Sequence, residues 1–522
     1  MGICADNNKE KKFYAVIHGM LGELAGGSQF SAALVQKLKD AYQAMEEEQQ
    51  NSCLLTVYEI MEEDYAAAIY FMAVLLRETG DRKVIRYVIR LLSSKRYPLW
   101  ERMNDASQFR FFLFTGGIWN EYKEYRNMRH MYEGILEELG DAMNCRYPVQ
   151  PFEMRRKKVI LVVSQMSNRY HAPTGYVIQI CRCLARMGYE AECYICHYFG
   201  VDGYWDWNKS FFSQNMMHET GPFVREFADA EVKGYNFELR GSDYIETLKL
   251  AAGMVYKEQP EYVLEIGSET ILAGLCREFT TVVTMGLTGR VPVTNAQLIA
   301  VLEEAPDEEA LWDALMENGQ TVLPVRFAMY HFDEKTSVPK YRKTDFGIPD
   351  DNFVIVIAGN RLDLEIKEAF EQILFQMLDL EERFTIAVIG ECPVFQKRMA
   401  EGNRAGRFCF LGYQSDFKSA VGIGDVFVNP PRQGGGTGGL FAMMEEVPVI
   451  TLGGCDVAAV SGDAFACDSL EDMPALVRRY VTDREFMHVQ KENCRRAAEA
   501  NLNVDNGEAF QRIHDAVKKL SS

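Results

Sequence analysis

The stretch "NPPRQGGGTGGLFAMMEEVPVI", residues 429–450, sets three consecutive glycines between a short apolar run and a helix-like one. Glycine gives up more backbone freedom on folding than any other residue, so a run of it marks a place where side chains would obstruct something. Successive glycines let backbone N–H groups converge on an anion with no Cβ in the way. The helix expected from about Thr437 adds roughly half a positive charge at its N-terminus. Gly435, Gly436 and Gly438 supply the bare backbone, Thr437 a hydroxyl donor and Arg432 a cation. The chemistry expected of this group is the binding of a phosphate or diphosphate. It is not a Walker loop, because G-x-x-x-x-G-K-[ST] does not occur in the chain, and it does not follow a first strand as the dinucleotide fingerprint does. The plainer reading is a tight strand-to-helix turn, for which a single glycine suffices.

The elements that must hold this loop are legible in the spacing of apolar residues. Strand-length apolar runs recur at 353–359, 384–390, 407–412, 425–430 and 447–453. Helix-like stretches such as "EIKEAFEQILFQML" and "CPVFQKRMA" lie between them. An earlier series begins with "KVILVVSQM" at Lys158 and continues through "TGYVIQICRCLARMG", "YEAECYICHYF", "EYVLEIG" and "TTVVTMG". Short buried-type strands alternating with amphipathic helices predict parallel sheets with crossover helices. Residues ahead of "YPVQPFEMRRKK" carry helical spacing almost throughout. The expected domains are therefore an all-helical 1–155, a Rossmann-like 156–335, and a Rossmann-like 336–522 closed by an amphipathic tail helix.

Bulk properties narrow the function classes. The chain has 522 residues, 48% apolar and 25% charged, and a net charge of −19. That balance fits a globular multidomain protein and argues against a general nucleic-acid binder. No apolar run approaches the roughly 20 residues that span a bilayer. Thirteen cysteines without an export-type signal are expected as reduced thiols, which points to the cytoplasm. "CYICH" at 193–197 has the spacing of covalent haem attachment but sits in a core-strand pattern, so it reads as buried thiols.

Residues 352–500 resemble the C-terminal domain of GT-B glycosyltransferases. The resemblance runs in order through "VIAGNRLDLEI", "FTIAVIGE", "RFCFLGYQSDF", "GDVFVNPPRQGGGTGG" and "EEVPVITLGGCDVA". Residues 157–325 match more loosely, as the acceptor-side domain. "GGGTGG" is most similar to the protein-modifying relatives of O-GlcNAc transferase, in the span of glycosyltransferase families 4 and 41. A helical domain ahead of such a core is similar to bacterial adhesin glucosyltransferases. The resemblance implies two Rossmann-like domains facing a cleft and a nucleotide diphosphate sugar, UDP above all, as donor substrate, with no separate cofactor. It implies that Asn360 and Arg361 reach the pyrophosphate, and that Gly390 and Glu391 lie near the nucleoside. Gly412 and Tyr413 then meet the base, and Gly436, Thr437 and Gly438 take the diphosphate. For Arg361 the plain alternative is a surface pair with Asp363 or Glu365.

One departure bears on mechanism. Many retaining members carry two glutamates eight positions apart around this loop, and here Gln433 and Phe441 stand at those places. Either the chain follows another subgroup or it binds without catalysis, as the acceptor-binding partner of a second glycosyltransferase. Inverting transfer needs a base for the acceptor hydroxyl. His171, in "SQMSNRYHAPTGY" between the first strand and first helix of the earlier series, is placed for that work, with His218 in second place. No D-x-D occurs and no closed zinc spacing is found, so no metal is expected. The acceptor expected is a protein, peptide or saccharide. Association with further copies of the chain is the other partnership considered.

Overall fold

The computed structural model describes residues 3–25, 30–61, 63–115, 122–168, 171–197, 217, 219–227, 230–239, 243–267, 270–287, 291–302, 315–316, 318–328 and 340–521. The chain divides into two compact units, one built mainly on Met1–Asn144 and one on Cys145–Tyr198 with Ser210–Ser522. His218 lies outside the described residues.

The first unit is helical. Its helices are Ile3–Ala25, Ala32–Gln43, Glu47–Met61, Tyr65–Thr79, Ile85–Ser93, Leu99–Thr115 and Tyr122–Met143. Local chemistry sets their ends. Asp64 accepts from the Ala67 N–H at 3.1 Å to start one helix, and Gly80, at φ +67°, ends it. Among the described aromatic residues after Gln108, Phe109, Phe112, Tyr125 and Tyr132 are buried. Arg102, 1% exposed, is neutralised by Glu138, with Nη1–Oε1 at 3.1 Å, and donates from Nε to the Tyr97 carbonyl.

Asp105 is the unusual acid of this unit. It is buried, and its Oδ2 accepts from the Tyr65 hydroxyl at 2.8 Å. Burial pushes its carboxyl up from 3.8 to about 7. The folded state thus binds this proton more tightly than the unfolded chain. The stability it contributes is full below pH ~4 and is lost as pH rises through about 7, by at most roughly 4 kcal/mol. Asp105→Asn keeps the acceptor and removes the titration. Thermal melts should show the variant gaining on wild type as pH goes from 5 to 8. A variant-minus-wild-type difference that stays flat over that range would contradict a buried titrating carboxyl.

The second unit holds two sheets. The first contains β1 (Arg156–Val163), β2 (Glu190–His197), β3 (Gly221–Phe227), β4 (Ala230–Glu238), β5 (Pro260–Ile266), β6 (Val282–Met285), β7 (Leu298–Leu302) and β8 (Thr321–Val325). Their order is β3-β4-β2-β1-β5-β6-β7-β8, all parallel except β3, which pairs antiparallel with β4. β1 reads as an unbroken apolar run because helices cover both faces, and Val159–Val163 are wholly buried. Cys193 and Cys196 of "CYICH" are core residues of β2, and burial raises both thiols. The segment 145–155 is docked rather than free. Tyr147 stacks on Tyr256 at 4.7 Å, and the Arg155 guanidinium donates to the Glu261 carbonyl and to Thr281.

The second sheet contains β9 (Phe353–Ala358), β10 (Phe384–Ile389), β11 (Phe408–Gly412), β12 (Val426–Val428), β13 (Val449–Leu452) and β14 (Ala466–Cys467). The order β11-β10-β9-β12-β13-β14 is the doubly wound one, with its reversal between β9 and β12. The tail helix, Asn506–Ser521, follows the second sheet in sequence but packs on the first. Phe510, Ile513 and Val517 are buried there with Tyr176, Val177 and Ile180. Asn506 ties the crossing, its side chain accepting from the Ala328 N–H at 2.8 Å and donating to the Ala328 carbonyl at 2.9 Å.

Candidate active site

Ligands of doubly wound sheets collect at the carboxyl ends of the strands, at the point where strand order reverses. Two loops leave the second sheet there. One follows β9 and carries Asn360 and Arg361; the other follows β12 and carries Arg432 and the glycine run.

They are joined by a buried ion cluster. Glu365, 1% exposed, pairs with both arginines: its Oε1 lies 2.8 Å from Arg361 Nε as an ion pair without hydrogen-bond alignment, and its Oε2 accepts from Arg432 Nη1 at 2.9 Å. Arg361 Nη2 donates to the Gln433 carbonyl at 2.7 Å, and Arg432 Nε donates to Asn429 Oδ1 at 2.8 Å. Burial pulls the Arg361 guanidinium below its usual value; Glu365 works against that shift and Arg432 with it. Glu365 lies between the two guanidiniums, and Asp456 adds a second, weaker negative influence on Arg361, so the strand ends carry a concentrated set of paired charges.

The glycines make room for this cluster and for a neighbouring helix. A Cβ on Gly435 would fall 2.7–2.9 Å from Nε, Nη2 and Cζ of Arg432, and Gly435 stands at φ +87°. A Cβ on Gly359, at the end of β9, would fall 2.3 Å from Arg432 Nη1. The guanidinium therefore passes between two bare backbones. Gly436 and Gly439 face the helix Asp456–Ser461. A Cβ there would lie 3.1 Å from the Asp456 carbonyl oxygen and 2.9 Å from Val457 Cγ1 respectively. Gly436 thus has little room for a side chain, because its neighbour there is backbone. Gly438 has ordinary contacts at 3.6 Å and beyond. The N–H groups of Gly435 and Gly436, ahead of the helix Gly436–Met444, donate to no backbone carbonyl among the described residues, and Thr437 is half-buried in its first turn.

The remaining positions sit along the same strand ends. Asn360 and Glu391 are exposed. Gly390, at φ +121°, donates its N–H to the Gly412 carbonyl at 2.8 Å, and a Cβ on it would fall 2.0 Å from the Gly359 carbonyl oxygen. Gly412 is at φ +64° and turns the chain to Tyr413, 38% exposed. The Tyr413 hydroxyl accepts from Asn168 Nδ2, in the loop after β1. That loop ends at His171, which stands at the N-cap of the helix Ala172–Arg186. His171 Nδ1 is 3.0 Å from Thr174 Oγ1, and burial pushes the imidazole down to about 4. Such a ring is neutral at pH 7 and poorly matched to the work of a general base there.

Glu365, Asn429, Asp456, Asn168 and Thr174 are the partners that sequence reasoning did not single out as functional. Asp456 Oδ1 accepts from Gln433 Nε2 at 2.9 Å. The Arg361 pairing does run to Glu365, but inside the protein rather than on its surface; Asp363 instead caps the helix Pro393–Ala400 by accepting from the Val394 and Phe395 N–H groups. Gln433 and Phe441, in place of the paired glutamates, are 2% and 0% exposed.

No family model and no curated protein matches the chain. Among solved structures, an O-GlcNAc transferase of Thermobaculum terrenum, in a mutant form, superposes with a TM-score of 0.52 at 14% identity. The alignment covers 99% of this chain and 98% of that one, helical part and both sheets included. The chain has the GT-B fold. A pneumococcal O-GlcNAc transferase (TM-score 0.48, 9% identity) and Anabaena HepE (0.45, 12%) align over 69% of this chain and 99% and 100% of theirs. In GT-B terms the first sheet's domain is the N-terminal one and the second sheet's the C-terminal one, and the tail helix returns to the N-terminal domain. No helix among the described residues is long and apolar enough to cross a membrane.

Proposed function

We propose that the chain is a glycosyltransferase that moves a hexose from a nucleotide diphosphate sugar, UDP above all, to a protein or peptide. The observation that carries this is the buried Arg361–Glu365–Arg432 cluster beside a helix N-terminus at the reversal point of the second sheet. Transfer breaks the bond between the sugar's anomeric carbon and a diphosphate oxygen and forms one to an acceptor oxygen, which loses its proton. Negative charge grows on the leaving diphosphate. Arg361, Arg432 and the amides of Gly435 and Gly436 are the groups that stabilise it, each lost donor costing about 3 kcal/mol, or roughly a hundredfold in rate. Asn360 reaches toward the pyrophosphate, Gly390, Glu391, Gly412 and Tyr413 hold the nucleoside end, and His171 comes from the first sheet's domain. The full-length fold likeness to an O-GlcNAc transferase is in keeping with a sugar-transferring reading.

A second reading is favoured by Gln433 and Phe441, neither of which can ionise. On it the chain binds an acceptor for a second glycosyltransferase and transfers nothing. Turnover of a UDP-hexose by the purified chain alone separates the two.

A further inference from the structure

The hydrogen bonds around His171 assign it a part other than the base's. Thr174 is wholly buried, and its Oγ1 accepts the Ser167 N–H at 2.8 Å. A hydroxyl has one proton to donate. Among the described residues, the acceptor within reach of that proton is His171 Nδ1, at 3.0 Å. With Thr174 donating to it, Nδ1 is bare, and the neutral ring carries its own proton on Nε2.

We propose that His171 acts as a neutral hydrogen-bond donor through Nε2–H, and that Thr174 is the positioning residue that fixes this tautomer. What receives the bond rests on the glycosyltransferase reading: an oxygen of the nucleotide sugar that gains negative charge as the anomeric bond breaks. No proton is transferred in this role.

Three observations agree with it. No hydrogen bond from Nε2 is found among the described residues and the ring is half-buried, so its proton is open to solvent or a ligand. The His171 carbonyl accepts from the Gly175 N–H at 2.9 Å, which seats the ring at the positive end of a 15-residue helix, where protonation is disfavoured. Asn168, three residues earlier, reaches Tyr413, so the loop bearing His171 meets the strand ends of the second sheet.

The test is long-range 1H–15N correlation on the full chain with labelled histidine, the His171 signal being identified by its loss in His171→Gln. At pH 7 the expected pattern is a proton fixed on Nε2. Thr174→Val should give a mixture of both tautomers, and Thr174→Ser should restore the single one. A proton on Nδ1, a ring titrating near pH 6.5, or a Thr174→Val spectrum identical to wild type would each overturn the proposal. All are read without donor, so they stand apart from whether the chain transfers sugar. In turnover of a UDP-hexose, His171→Ala should lose about ten- to a hundredfold. His171→Gln, which offers an N–H but no base, should recover part of that loss. Equal loss in both variants would assign the base's part after all.

Discussion

Replacing Glu365 with alanine is expected to lower the melting temperature by on the order of 10 °C. The carboxylate is 1% exposed and is shared by two guanidiniums, themselves 9% and 5% exposed. Removing it leaves two buried cations without their common counterion, and breaking a buried pair in this way costs about 3–5 kcal/mol. A second signature distinguishes lost charge from lost packing. Inorganic phosphate should raise the melting temperature of Glu365→Ala more than that of wild type, because an anion that binds only the folded state stabilises it by mass action. Glu365→Gln, which keeps the shape, should show the same phosphate response. A melt within a degree of wild type, or no added response to phosphate, would mean the two arginines do not depend on this carboxylate.

Gly435→Val should be the most damaging change in the glycine run. It places a β-branched residue at φ +87°, a strain of roughly 1–3 kcal/mol. It also drives a Cβ to within 2.7–2.9 Å of a guanidinium pinned by Glu365 and Asn429. Arg432 cannot retreat toward β9, because Gly359 closes that side with only a hydrogen's clearance. Expected together are a loss of several kcal/mol in stability and a fall of at least a hundredfold in UDP affinity. Gly438→Ala is the matched control. Its Cβ would meet atoms at 3.6 Å, and alanine in a helix gains about 0.5–1 kcal/mol over glycine. Calorimetric titration with UDP beside a thermal melt reads both quantities. Wild-type binding by folded Gly435→Val would detach the arginine from the ligand site.

The second sheet was legible in the sequence because β9 through β13 are short apolar runs ending near glycine or proline. Their order at the strand ends placed Arg361, Arg432 and the glycine run in one region. Other strands left weaker marks. β3 is an edge strand whose consecutive residues Val224, Arg225 and Glu226 are all exposed, so "GPFVREF" shows no clean apolar alternation. β8 contains a proline, tolerated at the sheet's edge, and β14 is two residues long. The purpose of the glycines was only half legible. That something close-packed lies there follows from their number, but an arginine at Gly435 and a helix at Gly436 and Gly439 are tertiary neighbours that no local pattern encodes. Glu365 shows the same limit. Four residues after Arg361 it reads as a helix-surface pair, and only the arrival of Arg432 from 67 residues away makes it the centre of a cluster. The tail helix reads as amphipathic, but which sheet receives its apolar face depends on the crossing at Asn506.

The most direct measurement is UDP release from UDP-glucose and UDP-N-acetylglucosamine by the purified chain with no second protein present. UDP is expected to accumulate from at least one donor, and Arg361→Ala, folded by circular dichroism, is expected to lose this by roughly a hundredfold. No release from any UDP-, GDP- or ADP-hexose by folded wild-type protein, with or without peptide acceptors, would contradict it and leave the chain as the binding partner of another transferase.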